Sequence, residues 1–112
     1  MTNYETTNYT ITYDTPTPIP VLVTTEYRGV FFGYANATET SGDNITLTNA
    51  RNCLYWSAAT GGFLGLAATG PAERSRIGAT TPHLELRKVT SVARVTPEAE
   101  KVWVKYPVYR GE

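Results

Sequence analysis

Hydrophobic positions in this chain follow strand-like spacing over most of its length. Val21-Leu22-Val23-Thr24-Thr25 is a β-branched run. In Arg28-Gly-Val-Phe-Phe-Gly-Tyr34, which follows it, Val30, Phe32 and Tyr34 alternate with Phe31, Gly33 and Ala35. Apolar side chains on both parities put apolar surface on both faces, so the second strand is expected to be central or strongly curved. Gly29 and Gly33 mark places where a strand bends or another backbone comes close. The polar, Gly-containing stretch 37–43 predicts a hairpin loop, after which Ile45 and Leu47 resume the alternation. Leu54 and Trp56 carry the opposite parity, so a bulge or short turn is expected within Asn49-Ala-Arg-Asn52.

Residues 61–71 are apolar but dense in glycine, which argues against a long helix and predicts a loop. The run from Leu84 to Val95, rich in Val, Leu and Thr, predicts one last long strand. Thr96-Pro97-Glu98 then has the form of a helix start, with Thr as N-cap, Pro at the first helical position and an acid in the first turn. That helix is expected over residues 97–104, with Pro107 preventing its continuation. The predicted fold is mainly β, a small curved antiparallel sheet or barrel with one short C-terminal helix.

Residues 1–20 differ from the rest. Thr, Asn and Tyr dominate, and Pro16, Pro18 and Pro20 alternate with other residues in a spacing that favours extended, polyproline-like backbone. Tyr9, Ile11 and Tyr13 lie on one side of an alternating pattern, with Thr10 and Thr12 on the other. The segment reads as an extended N-terminal arm, either an unstructured tail or a strand that pairs with a neighbouring subunit's sheet edge. Residues 21–106 form the expected single domain and residues 107–112 a C-terminal tail.

With 112 residues, one domain accounts for the whole length. Ten Lys and Arg balance ten Asp and Glu, which removes the long-range attraction to phosphate that a general nucleic-acid binder needs. The balance conceals an asymmetry. Residues 1–43 hold one cation, Arg28, against five acids, and seven of the remaining nine cations lie after residue 75. An anion site is therefore expected in the second half. The single Cys53 excludes an intrachain disulfide, and no signal-like or bilayer-length apolar run occurs, so an intracellular protein without membrane association is expected.

No catalytic or metal motif is legible. His83, the single histidine, follows Pro82 in an expected exposed loop and has no ligand spacing around it. A Cys53–His83 nucleophile pair has no supporting signature, and Cys53 reads more simply as a buried residue. The glycines of 61–70 match neither phosphate-loop pattern, although a looser nest of backbone N–H groups near Arg74 and Arg76 stays open. The constellation that invites a ligand is Arg51, Tyr55, Trp56, Phe63, Arg74 and Arg76. Aromatic faces stack on bases, and arginines take phosphate oxygens in bidentate fashion. The competing reading places Tyr55 and Trp56 in the core, with the indole N–H satisfied locally.

Two resemblances add to this. The blocks Thr24–Tyr34, Asn49–Ser57, Gly62–Pro71 and Arg76-Ile-Gly78 resemble an uncharacterised family of small phage-encoded proteins, with the match covering roughly residues 21–103. Arg28-Gly29-Val-Phe-Phe-Gly33-Tyr34 followed by Asn44-Ile-Thr-Leu47 is similar to the first motif of Sm-like barrels, which implies a small bent SH3/Sm-like barrel. Ala35 stands where those proteins carry an acid, and their second Arg-Gly signature is missing here.

The expected function is a non-enzymatic phage accessory protein that needs no cofactor. It self-associates into a homo-oligomer and binds a small anionic or nucleotide-like ligand at a subunit interface. Sequestering a host signalling nucleotide in the infected cytoplasm would use such a site. The alternative is a virion component whose arm exchanges between subunits.

Overall fold

The computed structural model describes residues 18–111, so the arm expected over 1–20 lies outside the described residues up to position 17. Five strands, β1 (Pro18–Thr25), β2 (Val30–Asn36), β3 (Ile45–Tyr55), β4 (Arg76–Leu86) and β5 (Val89–Arg94), form one antiparallel sheet in the order β4-β3-β2-β1-β5. Two helices complete the fold, α1 (Phe63–Ala68) and α2 (Pro97–Lys105). The curved-sheet form of the prediction holds. The barrel form does not, because among the described residues β4 and β5 are the two sheet edges and do not pair with each other. None of the helices is long and apolar enough to cross a membrane among the described residues.

Both faces of the central strands are buried, as the double parity of their apolar residues requires. Leu22, Val30 and Phe32 pack on the side of the helices with Leu66, Ala67, Ile77, Ala99 and Trp103. Val21, Val23 and Ala35 pack on the opposite side with Ile45, Leu47, Ala50 and Leu86. Gly33 belongs to this second side. A Cβ there would stand 3.0 Å from that of Leu47 and 3.3 Å from the Ala50 Cα, so glycine lets β3 approach β2 closely.

β3 runs unbroken through 49–52, and the expected irregularity is a bulge within the strand. Asn49 has φ 49°, and the extra residue shows in the pairing with β2, where the step from Phe32↔Arg51 to Tyr34↔Thr48 sets three residues of β3 against two of β2. Pro82, which has no N–H to give, lies opposite Asn49 on the edge strand β4, whose register with β3 is unchanged from Thr48↔His83 to Ala50↔Thr81, and its missing donor costs nothing there. The bulge changes which face a parity addresses. Before it, the odd positions Ile45 and Leu47 face the core on the side away from the helices; after it, Cys53 faces the helices.

Two expectations are corrected. The run 84–95 is two strands, because Lys88 adopts φ 58° and turns the chain from the end of β4 to the start of β5. This corner is held by Val89 N–H to the Asp43 carbonyl at 2.8 Å and by Glu26 N–H to the Lys88 carbonyl at 3.0 Å. Residues 61–71 are not a loop throughout, since Phe63–Ala68 is helical. The glycines remain where they are needed. Gly61 and Gly62 have positive φ, and a Cβ on Gly65 would collide with the Thr60 carbonyl.

The α2 start forms as predicted. Thr96 Oγ1 accepts from Ala99 N–H at 3.0 Å and donates to the Ala68 carbonyl at 2.7 Å, capping α2 while fastening it to α1. Beyond α2, the chain returns to the sheet. Val108 makes a parallel bridge to Ile77, and Tyr109 N–H donates to the Ile77 carbonyl at 2.9 Å. This return of 106–110 along β4 positions the candidate site.

Candidate functional site

Arg76 opens β4 opposite Tyr55, the last residue of β3, so the register places both side chains at one end of the sheet. The Arg76 guanidinium lies over the Tyr55 ring, 5.5 Å from its centroid, and over the Tyr109 ring at 5.0 Å. Cation–π contact with two rings restricts the guanidinium without occupying its in-plane N–H donors. Arg74, Arg76 and Arg110 line one open groove of about 560 Å³ together with Ser75, Tyr106 and Tyr109. All three arginines are exposed, and none forms an ion pair among the described residues. Arg74 has φ 75°, a conformation that disfavours side chains with a Cβ.

Buried hydrogen bonds hold the groove in shape. The Tyr106 hydroxyl lies 2.9 and 3.0 Å from the carbonyl oxygens of Ala72 and Ser75, its single proton shared between them. Arg51, only 3% exposed, donates from Nε to the Gly78 carbonyl at 2.9 Å and from Nη1 to the carbonyls of Trp103 and Tyr106, both at 2.7 Å. Its charge thus meets carbonyls left without partners at the C-terminal end of α2, where a cation is favourable. Burial pushes the Arg51 guanidinium pKa down from its ordinary value.

The six residues proposed from the sequence therefore separate. Arg74 and Arg76 line the groove, and Tyr55 lies beside it under the Arg76 guanidinium. Arg51 lies behind it and fixes the backbone of 103–106. Trp56 and Phe63 are partly buried and pack against the helix-side core; the competing reading places Trp56 there together with Tyr55, which is instead half exposed. Tyr106, Tyr109 and Arg110 were missed, because only the return of the chain after α2 brings them to β4.

Cys53 is 8% exposed, and burial raises its thiol pKa from 9.0 to about 11. His83 lies in β4 rather than in a loop, with its side chain 64% exposed and Nε2 3.7 Å from Glu85 Oε2. Cys53 pairs with Ile77 and His83 with Thr48, so the two occupy different stretches of the β3–β4 ladder. Among the described residues, no three His, Cys, Asp or Glu side chains are placed to share a metal ion. A raised thiol pKa favours the neutral form in the folded state. Its contribution to stability is present below pH 9 and is lost as the pH rises through about 11. Alkylation of Cys53 by iodoacetamide at pH 8 is expected to be slower in the folded protein than in urea by about a hundredfold or more. Equal rates in the two states would contradict the buried, protonated thiol.

No curated protein and no solved structure matches the chain. A family match covers residues 19–103, close to the 21–103 span of the sequence resemblance, and takes in Tyr55, Arg74 and Arg76 but stops short of Tyr106, Tyr109 and Arg110. The chain belongs to that family, described as a domain of unknown function, DUF6948.

Proposed function

We propose that the protein is a non-enzymatic, self-associating phage accessory protein that binds a phosphate-bearing, nucleotide-like anion in the groove between β4 and the returning segment 106–110. The observation that carries this reading is the arginine trio Arg74, Arg76 and Arg110, unpaired with any acid among the described residues, with Arg76 held over two tyrosine rings. Guanidinium forks suit phosphate oxygens, and Tyr55, 50% exposed, offers a ring face for a base. Self-association is supported by β5, which pairs on one side only among the described residues, and by the part of β4 beyond the Val108 bridge at Ile77. The phage origin rests on the resemblance of the sequence blocks to small phage-encoded proteins, and sequestering a host nucleotide would be one use of the groove.

Titration calorimetry with ADP and with pyrophosphate tests this reading. Both are expected to bind, ADP more tightly, with affinity falling as salt is raised. Arg76→Ala is expected to weaken ADP by about tenfold or more. Arg74→Gly removes a second guanidinium while relaxing a positive φ, so affinity should fall with no loss of thermal stability. Absence of binding by both probes, or unchanged affinity in a variant that combines Arg74→Gly with Arg76→Ala, would overturn the reading.

A further inference from the structure

The two edges of the sheet are not alike. β4 is blunted: Pro82 removes a donor, Glu85 puts a charge on the strand, and the returning segment bonds to it at Ile77. Proline, charge and a covering segment all keep an edge from pairing. β5, Val89-Thr-Ser-Val-Ala-Arg94, has no proline, and its one charge is its last residue. The ladder shows which of its groups face outward. Val95 N–H donates to the Pro20 carbonyl, so in the register Leu22↔Ala93 and Val21↔Arg94 the N–H and C=O of Ala93 face β1, and those of Val92 and Arg94 face the open side. Near the corner the outward Val89 N–H is taken by the Asp43 carbonyl. Among the described residues, no backbone group pairs with Val92 or Arg94 from the open side.

The two edges also border one core. Val89 and Val92 of β5 pack on the same cluster as Leu84 and Leu86 of β4, although these strands do not pair with each other. Val92 and Leu84 are only partly buried. A strand laid along β5 would satisfy the outward groups and cover the rest of Val92, provided one of its faces were apolar and the other polar. Residues 9–13, which lie outside the described residues, carry that pattern in the sequence. Tyr9, Ile11 and Tyr13 share one parity, Thr10 and Thr12 the other, and no proline interrupts them. Charge agrees with this pairing. Residues 1–17 hold Glu5 and Asp14 and no Lys or Arg, while Arg94 is exposed and forms no ion pair among the described residues.

We infer that residues 9–13 of one copy add to β5 of a second copy as a further strand, with Ile11 turned to the side of Val92 and the two threonines turned away from the core. This rests on the self-association proposed above and names the segment that makes it. The choice of a second copy follows from the connection. Thr15, Thr17 and Ile19 each precede a proline and are held to extended backbone, so the approach to β1 continues the line of that strand. Five residues in line cover about 17 Å, which carries 9–13 clear of the chain's own edge. To reach its own β5 the chain would have to reverse within 14–17 and cross the end of β5, where α2 starts.

Tyr13→p-benzoylphenylalanine in the full chain puts a photo-cross-linker on this segment. Chains labelled with heavy nitrogen and unlabelled chains, unfolded together in urea and refolded, are expected to give cross-links from position 13 to residues 89–94. About half of these should join a labelled to an unlabelled chain, as random mixing of copies requires. Sedimentation velocity on the parent chain should show association, weakened by about tenfold or more in Ile11→Asp and in Arg94→Pro. Arg94→Pro removes an N–H that faces outward, so the ladder to β1 and the circular dichroism spectrum should be kept. Ile11→Asp, outside the described sheet, decides the matter if Arg94→Pro does not fold. Cross-links confined to single chains or landing on β4, or unchanged association in Ile11→Asp, would overturn the inference and leave self-association standing. A parent chain that sediments as a monomer at every concentration would overturn both.

Discussion

Trp103→Ala is expected to destabilise the protein by about 3–5 kcal/mol, a large part of the roughly 5–15 kcal/mol that holds a domain together. The indole is fully buried, and its ring lies parallel to Phe32 at 5.0 Å between centroids and 4° between planes. Truncation opens a cavity beneath α2. It also removes the Nε1–H donor that reaches the Leu66 carbonyl at 2.9 Å, leaving a buried acceptor unpaired. The second loss is directed at α1. Six residues cannot sustain a helix alone, so α1 depends on this bond, on the Thr96 link to Ala68 and on the burial of Leu66 and Ala67. Urea denaturation should report the overall loss. Hydrogen exchange should show α1 opening before the sheet, and Trp103→Phe, which keeps ring packing but not the N–H, should reproduce the exchange effect at a smaller global cost. A loss below about 1 kcal/mol in Trp103→Ala would contradict the central place given to this residue.

What could be read from the sequence was decided locally. The two-faced apolar pattern of 21–35 needs only alternation to be recognised, and Thr96-Pro97-Glu98 carries its own capping chemistry. The bulge near Asn49 follows from a parity change, although Cys53 rather than Leu54 is the buried residue beyond it, and Leu54 stays 54% exposed. Two features had no local signal. α1 is helical against its glycine content because Leu66 and Ala67 gain burial under Trp103, a tertiary contact that outweighs propensity. The corner at Arg87-Lys88 lacks the glycine or asparagine that usually announces a positive φ, so the apolar residues on either side, Leu84 and Leu86 before it and Val89 and Val92 after it, read as one strand.

The candidate site divides in the same way. Tyr55 and Arg76 could be linked from sequence only loosely, as neighbours in a list of aromatic and basic residues, and the strand register is what pairs them. Tyr109 and Arg110 follow a proline in a segment that the sequence presents as a tail. Their approach to β4 depends on a parallel bridge at Ile77 and on two buried anchors far away in the chain. Arg51 is the harder case. Nothing in its neighbours distinguishes a guanidinium turned toward a ligand from one turned toward helix carbonyls, and the bulge two residues earlier determines the face.

Arg51→Met is the variant that exposes this structural role, and its effect is expected in the absence of any ligand. Methionine fills part of the volume but leaves the carbonyls of Gly78, Trp103 and Tyr106 without their donor in a buried corner, for a loss of about 3 kcal/mol or more. At about 4–8 °C per kcal/mol for a domain of this size, the melting temperature should fall by at least about 12 °C. The damage should concentrate where 106–110 joins the fold. Trypsin cleavage after Lys105 is expected to accelerate, and ADP affinity should fall although Arg51 lies outside the groove lining. Tyr106→Phe provides the graded comparison. It removes only the hydroxyl anchor to the Ala72 and Ser75 carbonyls, so it should move cleavage and affinity in the same direction at a cost of about 1 kcal/mol. If Arg51→Met melted with the parent while ADP binding was lost, Arg51 would be a direct ligand contact and not the anchor of the segment that builds the groove.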